Sequence, residues 1–77
     1  MPHVIIKMYP GRTEEQKNKL SKAITKSVVD IAGTSEEHVS IDIQDIKPED
    51  WAETVYKKEI LPKLDELQKK PGYNPFT

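Results

Sequence analysis

Residues 3 to 9, His-Val-Ile-Ile-Lys-Met-Tyr, repeat with a period of two. Val4, Ile6 and Met8 fall on one face and His3, Ile5, Lys7 and Tyr9 on the other, which predicts a strand. Both faces hold apolar groups, so cover is expected on both sides. Pro10-Gly11 ends this pattern. The period then lengthens: Leu20, Ala23, Ile24, Val28 and Ile31 recur at helical spacing and predict a core-facing stripe. Lys19, Lys22 and Lys26 occupy the opposite face, with Glu15 one turn ahead of Lys19. Thr13 and Gln16 make a capping-box pattern, and Glu14 and Glu15 suit the positive end of the helix dipole. Gly33 supplies the stop. Val39, Ile41 and Ile43 then alternate with Ser40, Asp42 and Gln44, predicting a second strand of about seven residues.

Strand, long helix and strand make a βαβ unit, for which parallel strands and a right-handed crossover are expected. Two parallel strands are not a stable sheet by themselves. Pairing with a second copy gives four strands under two helices, the simplest remedy. The fold class expected is therefore α+β, with the sheet completed by dimerisation. Pro48-Glu49-Asp50 reads as a further helix start, with Trp51 and Val55 four apart. Ile60, Leu61, Leu64 and Leu67 keep helical spacing, with Pro62 either kinking that helix or lying in its first turn. The prediction is one domain over residues 1–77, in which 48–77 form a helical C-terminal extension that ends near Lys70, a Pro71-Gly72 turn and a short tail.

Composition narrows the possibilities. A chain of 77 residues with 35% hydrophobic content is small for a free-standing core, and scaffolds of this size usually add disulfides, a metal or a partner. No cysteine is present, which excludes disulfides, thiolate zinc sites and cysteine nucleophiles together. His3 and His38 do not complete a metal-ligand spacing. Oligomerisation is the remaining source of stability. Twelve cations against thirteen carboxylates leave a net charge of −1, without the basic excess of a nucleic-acid or anionic-membrane binder. There is no apolar run of membrane-spanning length and no leader-like charged and apolar start, so the expected location is the cytoplasm.

Few residues suit chemistry. Removal of Met1, expected where proline follows, would leave Pro2 as a free secondary amine. An α-amino group titrates near 7.7–8.0 and shifts lower beside a cation or on burial, which suits a general base at neutral pH. The bland alternative is a proline that happens to stand second. Arg12 is the one arginine among eleven lysines, placed after Pro10-Gly11 and beside a helix start. It can hold a carboxylate by two parallel hydrogen bonds, or be an ordinary solvated charge. Trp51 is the one tryptophan and suits a pocket wall, core packing or a subunit contact equally. Asp42 and Asp45 are three apart on a strand, face opposite sides and make no acid–base pair.

The opening Met-Pro-His-Val-Ile-Ile-Lys-Met-Tyr-Pro-Gly-Arg-Thr-Glu-Glu-Gln-Lys resembles the start of the 4-oxalocrotonate tautomerase family. The likeness runs from Pro2 through the second strand to about Trp51. The tail, with Glu59-Ile60 and Lys69-Lys70-Pro71-Gly72-Tyr73, is similar to the bacterial PptA-type subgroup. The resemblance implies that Pro2 is the base that moves a proton between the enol oxygen and a carbon of a 2-oxo acid. It further implies that Arg12 binds a substrate carboxylate, that Trp51 shapes the pocket and that no cofactor is needed. Ser40 stands where founding members carry a second arginine, so the implied substrate contact there is altered.

One carboxylate-binding arginine favours a 2-oxo monoacid over a diacid. Trp51, Tyr73 and Phe76 favour an apolar or aromatic substituent, with phenylpyruvate enol as the candidate. Pro2 and Arg12 lie at opposite ends of a strand, about seven steps of ~3.3 Å or ~23 Å apart, more than an arginine side chain spans. A site using both then needs two chains, which predicts a homodimer with shared sites. The rival readings are a hydrolytic enzyme of the dehalogenase or decarboxylase type, and a non-catalytic dimeric binding module.

Overall fold

In the computed structural model, which describes residues 1–77, strand β1 spans His3–Met8 and strand β2 spans Ser40–Asp45. The two pair in parallel, with His3 opposite Ser40, Ile6 opposite Ile43 and Met8 opposite Asp45. Between them runs helix α1, Glu14–Ala32. Parallel neighbours cannot be joined by a tight turn, so the 19-residue helix carries the crossover.

The ends of α1 are encoded locally. The Thr13 hydroxyl accepts from the Gln16 backbone N–H at 3.1 Å, and Thr13 N–H donates to Gln16 Oε1 at 2.8 Å. Two of the donors that a helix start leaves unpaired are thereby satisfied. Thr13→Ala should remove half of this box and lower the unfolding free energy by about 1 kcal/mol, read as a lower urea midpoint at unchanged m-value. At the other end Gly33 adopts φ 71°, ψ 46°, where a side chain would be strained, and its N–H reaches Val29 C=O. Gly11, at φ 122°, turns the chain from β1 toward α1 by the same glycine freedom.

Helix α1 packs against β2. Its half-buried positions include Lys17, Leu20, Ile24 and Val28, spaced three or four apart, with Ser21 beside Leu20. Lys17 joins Asp45 at the end of β2 by an ion pair of 3.1 Å. The expected stripe is corrected at two places: Ala23 is exposed and Ile31 is 86% exposed. Ala23 lies at the margin of the covered arc, whereas Ile31 lines up with Ile24 and Val28 but sits in the last turn of α1. The Glu15–Lys19 pair forms as expected, at 3.2 Å on an exposed surface. On the sheet, Val4, Ile6, Met8, Ile41 and Ile43 are half-buried, whereas Ile5, on the opposite face, is 53% exposed. That second face is open at Ile5, while Lys7 and Gln44 on it are half-buried.

Residues 46–77 form a second compact unit, after residues 1–45. Helix α2, Pro48–Trp51, starts with proline in its first turn, where the missing N–H costs nothing. It continues as a π-helix over Ala52–Ile60, and then as a 3₁₀ segment over Leu61–Glu66. Wider i→i+5 bonding places Tyr56, five residues after Trp51, in the interior: Val55 and Tyr56 are 5% and 2% exposed. Pro62 lies in the first turn of the 3₁₀ segment, and Lys63 departs to φ −120°, ψ 17°. Leu67 is extended, so the helical region stops at Glu66 and not near Lys70.

Candidate active site

The β2 register brings two of the sequence-selected residues together. Ser40 N–H donates to Pro2 C=O at 3.1 Å, one residue before the paired strands begin. Pro2 is half-buried while Met1 is 96% exposed. Proline has no amide proton to give a ladder, but its carbonyl remains a full acceptor, so this bond fixes the residue without using its nitrogen. The Ser40 side chain pairs with His3: Oγ and Nδ1 are 2.6 Å apart. The residue pattern marks His3 only as a strand position, and the register, His3 opposite Ser40, is the reason the two meet.

Arg12 stands at the other end of β1, after the Pro10-Gly11 turn, and is exposed. Its Nη1 donates to Tyr9 C=O at 3.2 Å, which folds the side chain back over the turn. One of five guanidinium N–H groups is engaged by that bond. The six residues of β1 separate Arg12 from Pro2, a strand length of about 20 Å. Pro2 and Ser40 are thus neighbours at one end of the sheet, and Arg12 belongs to the other end of the same chain.

Trp51 lies in the second unit, half-buried at the junction of α2 and the π-helix. Its Nε1–H donates to the Tyr73 hydroxyl at 2.7 Å. Tyr56, which the residue pattern did not single out, packs against Tyr73 and Phe76 with ring centroids 5.6 and 6.0 Å away. An i, i+5 aromatic pair is the signal that marks it, and that signal has meaning only in a π-helix.

Asp42 and Asp45 face opposite sides, as expected: Asp42 accepts from Gln44 at 2.7 Å and Asp45 holds Lys17. No group of three His, Asp or Glu side chains is placed to hold a metal ion. An open groove of about 440 Å³ runs along α1 past Thr25, Val29 and Glu36 and contains none of the residues singled out from the sequence. No helix is long and apolar enough to cross a membrane.

The site elements are thus a parallel βαβ unit, a second residue tied to the sheet by the main chain and an arginine just before the helix start. The chain belongs to the tautomerase enzyme family, whose model matches residues 2–58. It is 41% identical over 75 residues to tautomerase PptA of Enterobacter sp. (strain 638), covering 96% of this chain and 99% of the relative. A probable tautomerase of Xylella fastidiosa (strain 9a5c) is 33% identical over 73 residues, covering 95% of this chain and 89% of that one. Among solved structures, one of the 4-oxalocrotonate tautomerase isozymes from Methylibium petroleiphilum superposes with a TM-score of 0.62 at 34% identity. That match covers 65% of this chain and 81% of the other. The protein is therefore a tautomerase-family enzyme, an isomerase.

Proposed function

We propose that the protein is a keto–enol tautomerase of 2-oxo acids that uses Pro2, freed by removal of Met1, as its general base. The observation that carries this reading is the hydrogen bond from Ser40 N–H to Pro2 C=O, made at the residue where the family match opens. It holds a proline at a fixed point while leaving the nitrogen out of the ladder. In the reaction the Pro2 nitrogen accepts the enol O–H proton, the enolate electrons move toward C3, and the resulting ammonium returns the proton to C3. Atoms and charge balance without a cofactor. Arg12 holds the carboxylate through a charge-assisted fork. The Ser40 hydroxyl faces the 2-oxo end in place of a second cation, and Trp51 borders the substituent on C3. A single arginine and a serine favour a monocarboxylate, with phenylpyruvate enol the representative substrate.

Two chains make the site. Arg12 and Pro2 of one chain are about 20 Å apart, so the Arg12 serving a given Pro2 comes from a second copy. The two-stranded sheet has an unpaired edge on each strand, and Ile5 leaves apolar surface on its open face. Association with a second copy supplies the cover that residues 1–45 lack.

Ultraviolet-followed ketonisation of phenylpyruvate enol tests the activity, with intact mass confirming the loss of Met1. Subunit mixing tests the shared site. Pro2→Ala and Arg12→Ala homodimers should each be slow, and their unfolded and co-refolded mixture should regain activity, because each heterodimer then has one site with both native residues. A mixture no faster than its parents would mean that both residues act from one chain.

A further inference from the structure

Ser40 is held at two points by the start of the first strand. Its main-chain N–H donates to Pro2 C=O at 3.1 Å, and its side-chain Oγ lies 2.6 Å from His3 Nδ1. All three residues belong to the first compact unit, residues 1–45. The other histidine of the chain makes a contact of a different kind. His38 Nδ1 meets Ser35 Oγ at 3.2 Å, three residues away in a single turn. His3 and Ser40 are 37 residues apart in sequence and meet across the sheet, directly beside the bond that holds Pro2.

His3 and Ser40 are both exposed, and water would serve either side chain as a partner. What the direct bond adds is a direction for the hydroxyl. A serine hydroxyl has one hydrogen, which rotates to suit its partners. If the imidazole nitrogen accepts, that hydrogen is spent on His3, and Ser40 offers a ligand only lone pairs. If Nδ1 carries a proton and donates, the hydrogen turns outward and Ser40 becomes a donor. The charge that develops in tautomerisation sits on an enolate oxygen, which is stabilised by donors. A donor behind the hydroxyl also polarises it, which strengthens the bond that it gives.

We propose that His3 is a positioning residue: its Nδ1–H donates to Ser40 Oγ and aims the one hydroxyl hydrogen at the 2-oxo oxygen of the substrate. The proposal rests on the function above, in which Ser40 meets that end of the substrate. The His3 proton stays on Nδ1 throughout, and the proton that moves is carried by Pro2 alone.

His3→Phe keeps a ring on the strand and removes the donor. His3→Asn puts an amide N–H close to the place of Nδ1. With phenylpyruvate enol, His3→Phe should lower kcat about three- to tenfold and leave KM within about twofold, the range expected for one neutral hydrogen bond. His3→Asn should recover most of that loss. Ser40→Ala should lose at least as much as His3→Phe, and in that background His3→Phe should add nothing. The chain has two histidines, so NMR of the imidazole nitrogens resolves both, with His38→Gln assigning the signals. His3 should be the Nδ1–H tautomer, and this is read on the unmodified chain, whatever the folding of the variants.

An Nε2–H tautomer at His3, an unslowed His3→Phe, a loss confined to KM, no recovery in His3→Asn, or a full effect without the Ser40 hydroxyl would each overturn the proposal. Ketonisation that survives Pro2→Ala unslowed would instead overturn the function on which it rests. That control is read without any change at His3.

Discussion

Blocking the Pro2 nitrogen should slow ketonisation by about 10²–10⁴, the contribution of a positioned general base. A chain extended by Gly-Ser ahead of Pro2 carries an amide at that atom, which has no basicity at any working pH, and should show the full loss. Pro2→Ala retains an amine but loses the ring that fixes its direction, and should fall by about a hundredfold. Both changes should leave circular dichroism and the urea midpoint unaltered, because Ser40 grips the carbonyl of position 2 and not its ring. In the native protein kcat/KM should rise with pH and level off, since the base works only when deprotonated. A Gly-Ser-extended chain as fast as the processed one would end the case for Pro2.

Arg12→Ala should lower kcat/KM for phenylpyruvate enol by about 10- to 100-fold, mostly through KM, the effect of losing a hydrogen-bonded charge worth about 1.5–3 kcal/mol. Arg12→Lys should recover only part of that, because an ammonium is a point charge and does not reproduce the planar fork. Arg12 is exposed and its side chain donates to Tyr9 C=O alone, so the loss should come without a change in thermal midpoint. The same substitution should have little effect on a substrate ester, which has no carboxylate to hold. An equal loss for ester and acid would remove Arg12 from carboxylate binding and leave it a role in the turn.

The parts of the fold governed by short-range rules were legible in the residues. Alternation placed β1 and β2 within a residue of their observed ends, and Thr13, Gln16 and Gly33 marked the limits of α1 through chemistry contained within a few residues. Ile31 shows where periodicity stops informing: helical spacing says which residues share an arc, but how far the sheet reaches under that arc depends on tertiary packing. The C-terminal unit was least legible. Trp51 and Val55 fit an α-helical face, and nothing in so short a run distinguishes i→i+4 from i→i+5 bonding, so Tyr56 went unnoticed although it is the best-buried side chain of the chain.

The candidate site divides along the same line. Pro2, Arg12 and Trp51 stand out by residue type, each being chemically singular at its position. The contacts of Ser40 and Tyr73 do not. His3 meets Ser40 only because a crossover of more than thirty residues returns β2 in one particular register, and Tyr73 meets Trp51 only because the tail folds back on Tyr56.

The bond from Ser40 N–H to Pro2 C=O has an evolutionary reading. It involves a carbonyl that every residue carries at position 2 and an N–H that every residue but proline carries at position 40, so the scaffold holds whatever residue occupies position 2 in the same place. Reagent and support are separable by a single codon. A lineage could lose the reaction while keeping the fold intact, or regain it from a silent copy in one step, and descendants of such a chain should mix active and inert members that are indistinguishable in architecture.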